Sequence, residues 1–327
     1  MMGRKFVTSA VGVGLLASAM PAGAADSPCT SGADKIPHAE DVVFRNLDRD
    51  DQGYDVLRLE ASDGAHMLIY FDEASEEIAR NRAACLGSQM NVLRAELEDT
   101  RVSPEWDSVV FTSDENYTPP RGGGVTTRWV IGPHATGRID DGQVLTLIPH
   151  EQVHSFQRRN SAFLPRWISE GHASWTEQRI LKQLDETVAR QEAARSQKHL
   201  RESTAPLDLA AWSSVRPKRE AIRRQVSKAD QKRMDEDPSF SPEGTFTFTT
   251  DDLEGDESNM TARYAGALLV FQGLEQRHGA EAVHAWLRDL TEDAGTRSPE
   301  EVADSIQKHF GEDVAVLLDN RQFPSAQ

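Results

Sequence analysis

Two side chains able to share one metal ion, and a carboxylate able to act beside it, lie within five consecutive positions, His150-Glu151-Gln152-Val153-His154. Residues four apart on a helix occupy one face. His150 and His154 would then point the same way, close enough to grip a single cation. Neutral imidazole is a good ligand for zinc, which favours a tetrahedral set of nitrogen, sulfur and oxygen donors. Glu151, beside the first histidine, is placed to take a proton from a zinc-bound water, the general-base role in zinc hydrolases. A second pattern follows a polar link: Leu164-Pro165-Arg166-Trp167-Ile168-Ser169-Glu170-Gly171-His172-Ala173. Pro165 suits a first helical turn, and Trp167, Ile168 and Trp175 give an apolar side. Glu170 could supply a third ligand and leave the fourth position to water, as a catalytic site requires. His172, two residues on, would face elsewhere and is expected at the surface or behind the ligands. Glu177 lies two turns along the face of Glu170 and is expected to be a solvated helix residue.

The pairing of His150-Glu151-x-x-His154 with Pro165-x-Trp167-x-x-Glu170-Gly171-x-Ala173 resembles the gluzincin metallopeptidases, in particular the peptidase-MA-like group. The resemblance implies zinc held by His150, His154 and Glu170, with Glu151 as base. It is firm over residues 146–177, suggestive over 66–131 and 260–290, and absent over 178–259. The metzincin continuation is missing, since Gln157 and Asn160 stand where that group has glycine and histidine. The resemblance also implies that a strand at 125–131 offers its edge to an extended substrate; its other reading is an ordinary sheet strand. Tyr264, opening a later apolar helix, could donate its hydroxyl to the oxyanion of a tetrahedral intermediate; its other reading is a core tyrosine. No amine-binding stretch of the gluzincin aminopeptidases is visible.

These residues need elements to hold them. Thr146 can cap the metal helix and Pro149 falls in its first turn. Ahead of it, strand patterns at 42–44, 54–59, 66–71, 109–111 and 125–131 surround a helix at 75–97 with Ile78, Ala79, Leu86, Met90, Leu93 and Leu97 at helical spacing. The Asp48-Arg49-Asp50-Asp51-Gln52-Gly53 loop mimics the start of a calcium loop, but Leu59 stands at the closing position, so a turn is expected. Behind the site, residues 178–259 are dense in charge and read as exposed helices or an insertion over the cleft. Apolar order returns in a helix from 260, closed by His278-Gly279, and in helices at 280–290 and after the capping box Ser298-Pro299-Glu300-Glu301. The expected fold is α+β and gluzincin-like. A signal peptide at 1–24 precedes an N-terminal lobe at 25–160, with a twisted mixed sheet and the metal helix. A helical C-terminal lobe at 161–327 carries the third ligand.

The signal reading rests on Arg4-Lys5, an apolar run over 6–20 and Ala22-Gly23-Ala24. It implies export, to a periplasm or the medium, without stable membrane insertion. The net charge is −17 over 327 residues, and loss of the leader makes the chain more acidic. Such a chain repels nucleic acid, and no basic patch with interleaved aromatics appears. In an oxidising setting Cys29 and Cys85 are expected to pair. Asn116-Tyr117-Thr118 and Asn259-Met260-Thr261 match glycosylation sequons but carry no meaning in a bacterial host. The expected activity is zinc-dependent hydrolysis of peptide or protein substrates. The alternatives are a binding or scaffold module that keeps a zinc site with little activity, and a zinc amidase on a non-protein, cell-wall amide. Oligomeric state is not legible.

Overall fold

The computed structural model describes residues 42–50, 52–112, 128–131, 144–158, 162–203, 206–212, 216–237, 240, 242, 246–247, 249, 252–254 and 259–319. The fold is α+β. A mixed sheet of five strands has the order β1 (Val42–Leu47), β2 (Asp55–Ala61), β3 (His66–Phe71), β4 (Ser108–Phe111) and β5 (Arg128–Ile131). The first three pair antiparallel, and β3, β4 and β5 run parallel. The β1–β2 turn is held by Asp50, whose Oδ1 accepts the backbone N–H of Gln52 and of Tyr54, each at 2.9 Å. It is the turn expected of that loop.

Parallel pairing of β3 with β4 needs a crossover, and helix α1 (Glu76–Glu96) supplies it. The helical spacing of Ala79, Ala83, Leu86, Met90 and Leu93 puts these residues on the sheet, where all are buried. Cys85 is buried on the same helix. Cys29, with the whole leader, lies outside the described residues, as do Asn116, Asn160 and the start of the 125–131 strand.

Helix α2 (Leu147–Gln157) carries the two histidines, and α3 (Arg166–Leu184) carries Glu170. Between them β6 (Ala162–Phe163) pairs with β9 (Gly295–Thr296). The remaining helices are α4 (Glu186–Glu202), α5 (Arg219–Arg223), α6 (Lys228–Glu236), α7 (Met260–His278), α8 (Ala280–Glu292), α9 (Pro299–Phe310) and α10 (Val314–Leu317); β7 (Arg216–Pro217) and β8 (Leu253–Glu254) form a small ribbon. Gly279, at φ +84°, ends α7, and Ser298 with Glu301 forms the full capping box of α9.

Among the described residues two large apolar cores result, with a small third cluster of Val56, Tyr70 and Val110 on the sheet. One lies between the sheet, α1 and α2. The other joins α3 to α7, α8 and α9 through Trp167, Trp175, Phe271, Trp286 and Phe310. Helix α3 is a wall of both: Ala173, Ile180 and Leu181 enter the first core, and Trp167, Ile168 and Trp175 enter the second. Val188 and Ala189 of α4 also close the first core. Among the described residues no helix is long and apolar enough to cross a membrane.

Two local expectations are corrected. The Thr146 side chain makes no capping bond to α2, because its backbone is already helical (φ −109°, ψ −63°) rather than extended as a capping residue requires. Pro165 precedes the first turn of α3 instead of lying within it; at φ −51° and ψ 143° it is the extended residue from which the helix starts.

Candidate metal centre

Helix α2 is fixed from both sides. Ile148, Val153 and Phe156 enter the first core. Gln152 is nearly fully buried, and its amide pairs with the main chain of Asp107 at the approach to β4: Asp107 N–H donates to Oε1 at 2.9 Å, and Nε2 donates to the Asp107 carbonyl at 2.7 Å. The opposite face presents His150 and His154, with ring centroids 5.0 Å apart and planes at 79°. Helix α3 is brought against α2 and α7. Gly171 allows the close approach to α7, since a Cβ there would lie 2.7 Å from the Phe271 ring and 3.0 Å from the Ala267 carbonyl. The residue before that glycine is Glu170.

His150, His154 and Glu170 converge as expected. Their ligand atoms all lie within 4.8 Å of one another. Glu170 Oε2 is 3.2 Å from His150 Nε2 and 3.1 Å from His154 Nε2. The opposite nitrogens are also occupied: His150 Nδ1 is 3.3 Å from Glu177 Oε2, and His154 Nδ1 is 2.9 Å from Gln157 Oε1. A neutral imidazole carries one proton. If each Nδ1–H donates outward, both Nε2 lone pairs face the Glu170 carboxylate. Three acceptors around one point are satisfied by a cation, and the set of two imidazoles and one carboxylate suits zinc.

The electrostatics of these groups express the same demand. Burial lowers the pKa of His150, but hydrogen bonds to Glu170 and Glu177 and the charge of Glu151 raise it further, to about 10. Burial raises the Glu170 carboxyl, yet the two histidines hold it far below the usual carboxylate range. Positive charge is favoured at this place, on the His150 imidazole in particular. Burial raises the Glu151 carboxyl above its ordinary value, more than His150 and His154 lower it. That moves it toward the range useful for a base at neutral pH.

Two further residues lie close to these three groups, His172 in the second of the two places expected for it and Glu177 against expectation. Glu177, expected to be solvated, is largely covered and orients His150. His172 is buried at 2 % exposure, not at the surface; its Nδ1 is 3.1 Å from Gln157 Nε2, and its ring stacks on Phe271. Gln157 went unmarked as a partner, although a residue three beyond His154 shares its helix face. Arg166 and Trp212 also went unmarked. Arg166 Nε donates to the other Glu170 oxygen, Oε1, at 3.3 Å, and its guanidinium lies 5.0 Å from the Trp212 ring. Trp212 comes from the charged 178–259 stretch and sits edge-on to Tyr264, with centroids 5.1 Å apart. Tyr264 is 6.0 Å from His150 between ring centroids. Burial and the Glu170 charge raise its pKa, so the phenol keeps its proton, while Arg166 hydrogen-bonds its oxygen.

No protein-family model matches the chain, and no curated protein matches it.

Proposed function

We propose that the protein is an exported zinc-dependent metallopeptidase of gluzincin type. The observation that carries the reading is the convergence of His150 Nε2, His154 Nε2 and Glu170 Oε2 on one point, with Glu151 beside it on the same helix. Zinc, when bound there, supplies a Lewis acid that makes water more acidic and polarises a carbonyl.

The chain's own groups do the rest. Glu151 accepts a proton from water as its oxygen joins the carbonyl carbon. The same proton then passes to the amine as the C–N bond breaks, so one water is consumed and an acid and an amine are released. Tyr264 keeps a hydroxyl proton to offer the developing oxyanion, and Arg166 orients that hydroxyl. Strand β5 has a hydrogen-bonded neighbour on one side only among the described residues, which supports its use as an edge for an extended peptide. The leader and the Cys29–Cys85 bond belong to the same proposal of an exported enzyme.

The test is zinc content per chain of the purified protein, wild type beside Glu170→Ala, followed by turnover of a quenched-fluorescent peptide mixture by wild type and Glu151→Gln. Wild type should hold about one zinc, Glu170→Ala much less, and Glu151→Gln should keep zinc without turnover. A wild type that takes up no zinc on reconstitution refutes the metal site. Undiminished cleavage by Glu151→Gln refutes the base assignment.

A further inference from the structure

We infer that Gln157 fixes which nitrogen of His154 carries the proton, and thereby holds that ring in its metal-binding form; this rests on the zinc reading above. The starting point is an oxygen that can only accept. The main-chain carbonyl of Ser169, on α3, lies 2.9 Å from Gln157 Nε2. The amide nitrogen must face it, because the reversed amide would set two oxygens against each other in a buried place. Gln157 is 3 % exposed, so water does not relieve such a clash.

With the amide so oriented, its oxygen is 2.9 Å from His154 Nδ1 and 2.8 Å from Ser169 Oγ. An amide oxygen only accepts, so both of these groups donate. His154 is then protonated at Nδ1 and turns the Nε2 lone pair toward Glu170. The second N–H of the amide meets His172 Nδ1 at 3.1 Å, which accepts it. The Ser169 hydroxyl is also 3.2 Å from His154 Nδ1 and helps hold the ring. A fixed carbonyl one residue before the ligand Glu170 therefore sets the tautomer of a ligand on the neighbouring helix. Gln157 is a positioning residue that acts through His154 and reads where α3 lies.

The experiment measures zinc affinity, by competition with a chromophoric chelator, and thermal stability of the metal-free protein, for wild type, Gln157→Leu and Gln157→Glu. Both variants lose the bond to the Ser169 carbonyl, so both should melt below wild type. Only the leucine variant loses the acceptor for His154 Nδ1, and its zinc affinity should fall about 10–100-fold. The glutamate variant should keep an affinity close to that of wild type. Affinity that follows stability in both variants, or stays unchanged in Gln157→Leu, overturns the inference. A measurement on wild type needs no variant to fold: in the zinc-loaded protein with 15N-labelled histidine, His154 should show its proton on Nδ1 and its metal on Nε2, and the reverse assignment overturns the inference. Wild type without zinc uptake overturns the metal reading and this inference together, whereas zinc uptake with an indifferent Gln157→Leu overturns this inference alone.

Discussion

Replacing Gly171 by alanine tests whether close contact between α3 and α7 sets the position of Glu170. An added methyl would sit 2.7 Å from two atoms of the Phe271 ring and 3.0 Å from the carbonyl of Ala267. The ring cannot turn aside freely. Its centroid lies 6.3 Å from that of His172, 6.0 Å from Trp175 and 5.7 Å from Trp286. The carbonyl belongs to the main chain of α7, so it moves only with the helix. Overpacking of a closed site costs about 1–3 kcal/mol, and contacts of this kind point to the upper end, about 3 kcal/mol. Alanine recovers about 1 kcal/mol of helix propensity over glycine. The net expectation is a loss of about 2 kcal/mol, read from urea unfolding of the metal-free protein with an unchanged slope. Zinc affinity should fall with it, because the residue displaced next to position 171 is Glu170, the proposed third ligand. A variant as stable as wild type, or more stable, would mean that propensity dominates and that α3 and α7 are not in close contact there.

Other substitutions probe the supports around the site. Glu96 on α1 bonds Arg179 of α3, and the Nε2 of His284 on α8 lies 3.4 Å from its Oε1. Burial raises the Glu96 carboxyl, but these two partners lower it more, so its pKa ends below the ordinary 4.5. A depressed carboxylate stabilises the fold above its unfolded pKa and ceases to as pH falls through the folded value. Glu96→Gln should cost about 1–3 kcal/mol near neutrality, and the gap to wild type should close below about pH 4.5 in unfolding curves taken across pH. Gln152→Leu should cost about 1–3 kcal/mol for each of the two Asp107 main-chain groups it strands, measured by chemical denaturation. Tyr264→Phe should lower peptide turnover about 100-fold or more while zinc content stays at the wild-type level.

The convergence of His150, His154 and Glu170 is legible in the sequence because its information is local. Spacing of four puts His150 and His154 on one face, and Glu170 follows within one further helix. Strands such as 66–71 and the α1 helix are also readable, since apolar period and length agree. Trp212 is different. It lies in a charged stretch with few large apolar neighbours, and its burial comes from docking against Arg166 and Tyr264, which no local pattern announces. Glu177 shows a related difficulty. Its helical phase relative to Glu170 is readable, but its coverage is set by how α2 crosses α3, which depends on Gly171 and the second core. Thr146 and Pro165 are errors of a turn at most, set by backbone angles that the residue types permit but do not dictate.

Because α3 and the start of α4 complete the first core, the sheet half is unfinished until about residue 189 has left the ribosome. The same stretch of chain delivers Glu170 and Glu177. The parts that seal the sheet are therefore the parts that bring the three side chains together, and on the zinc reading metal capture would belong to the closing step of folding. A fragment ending after α2 would contain both histidines yet lack its apolar wall, and should be recovered as an aggregation-prone chain rather than as a weak zinc binder.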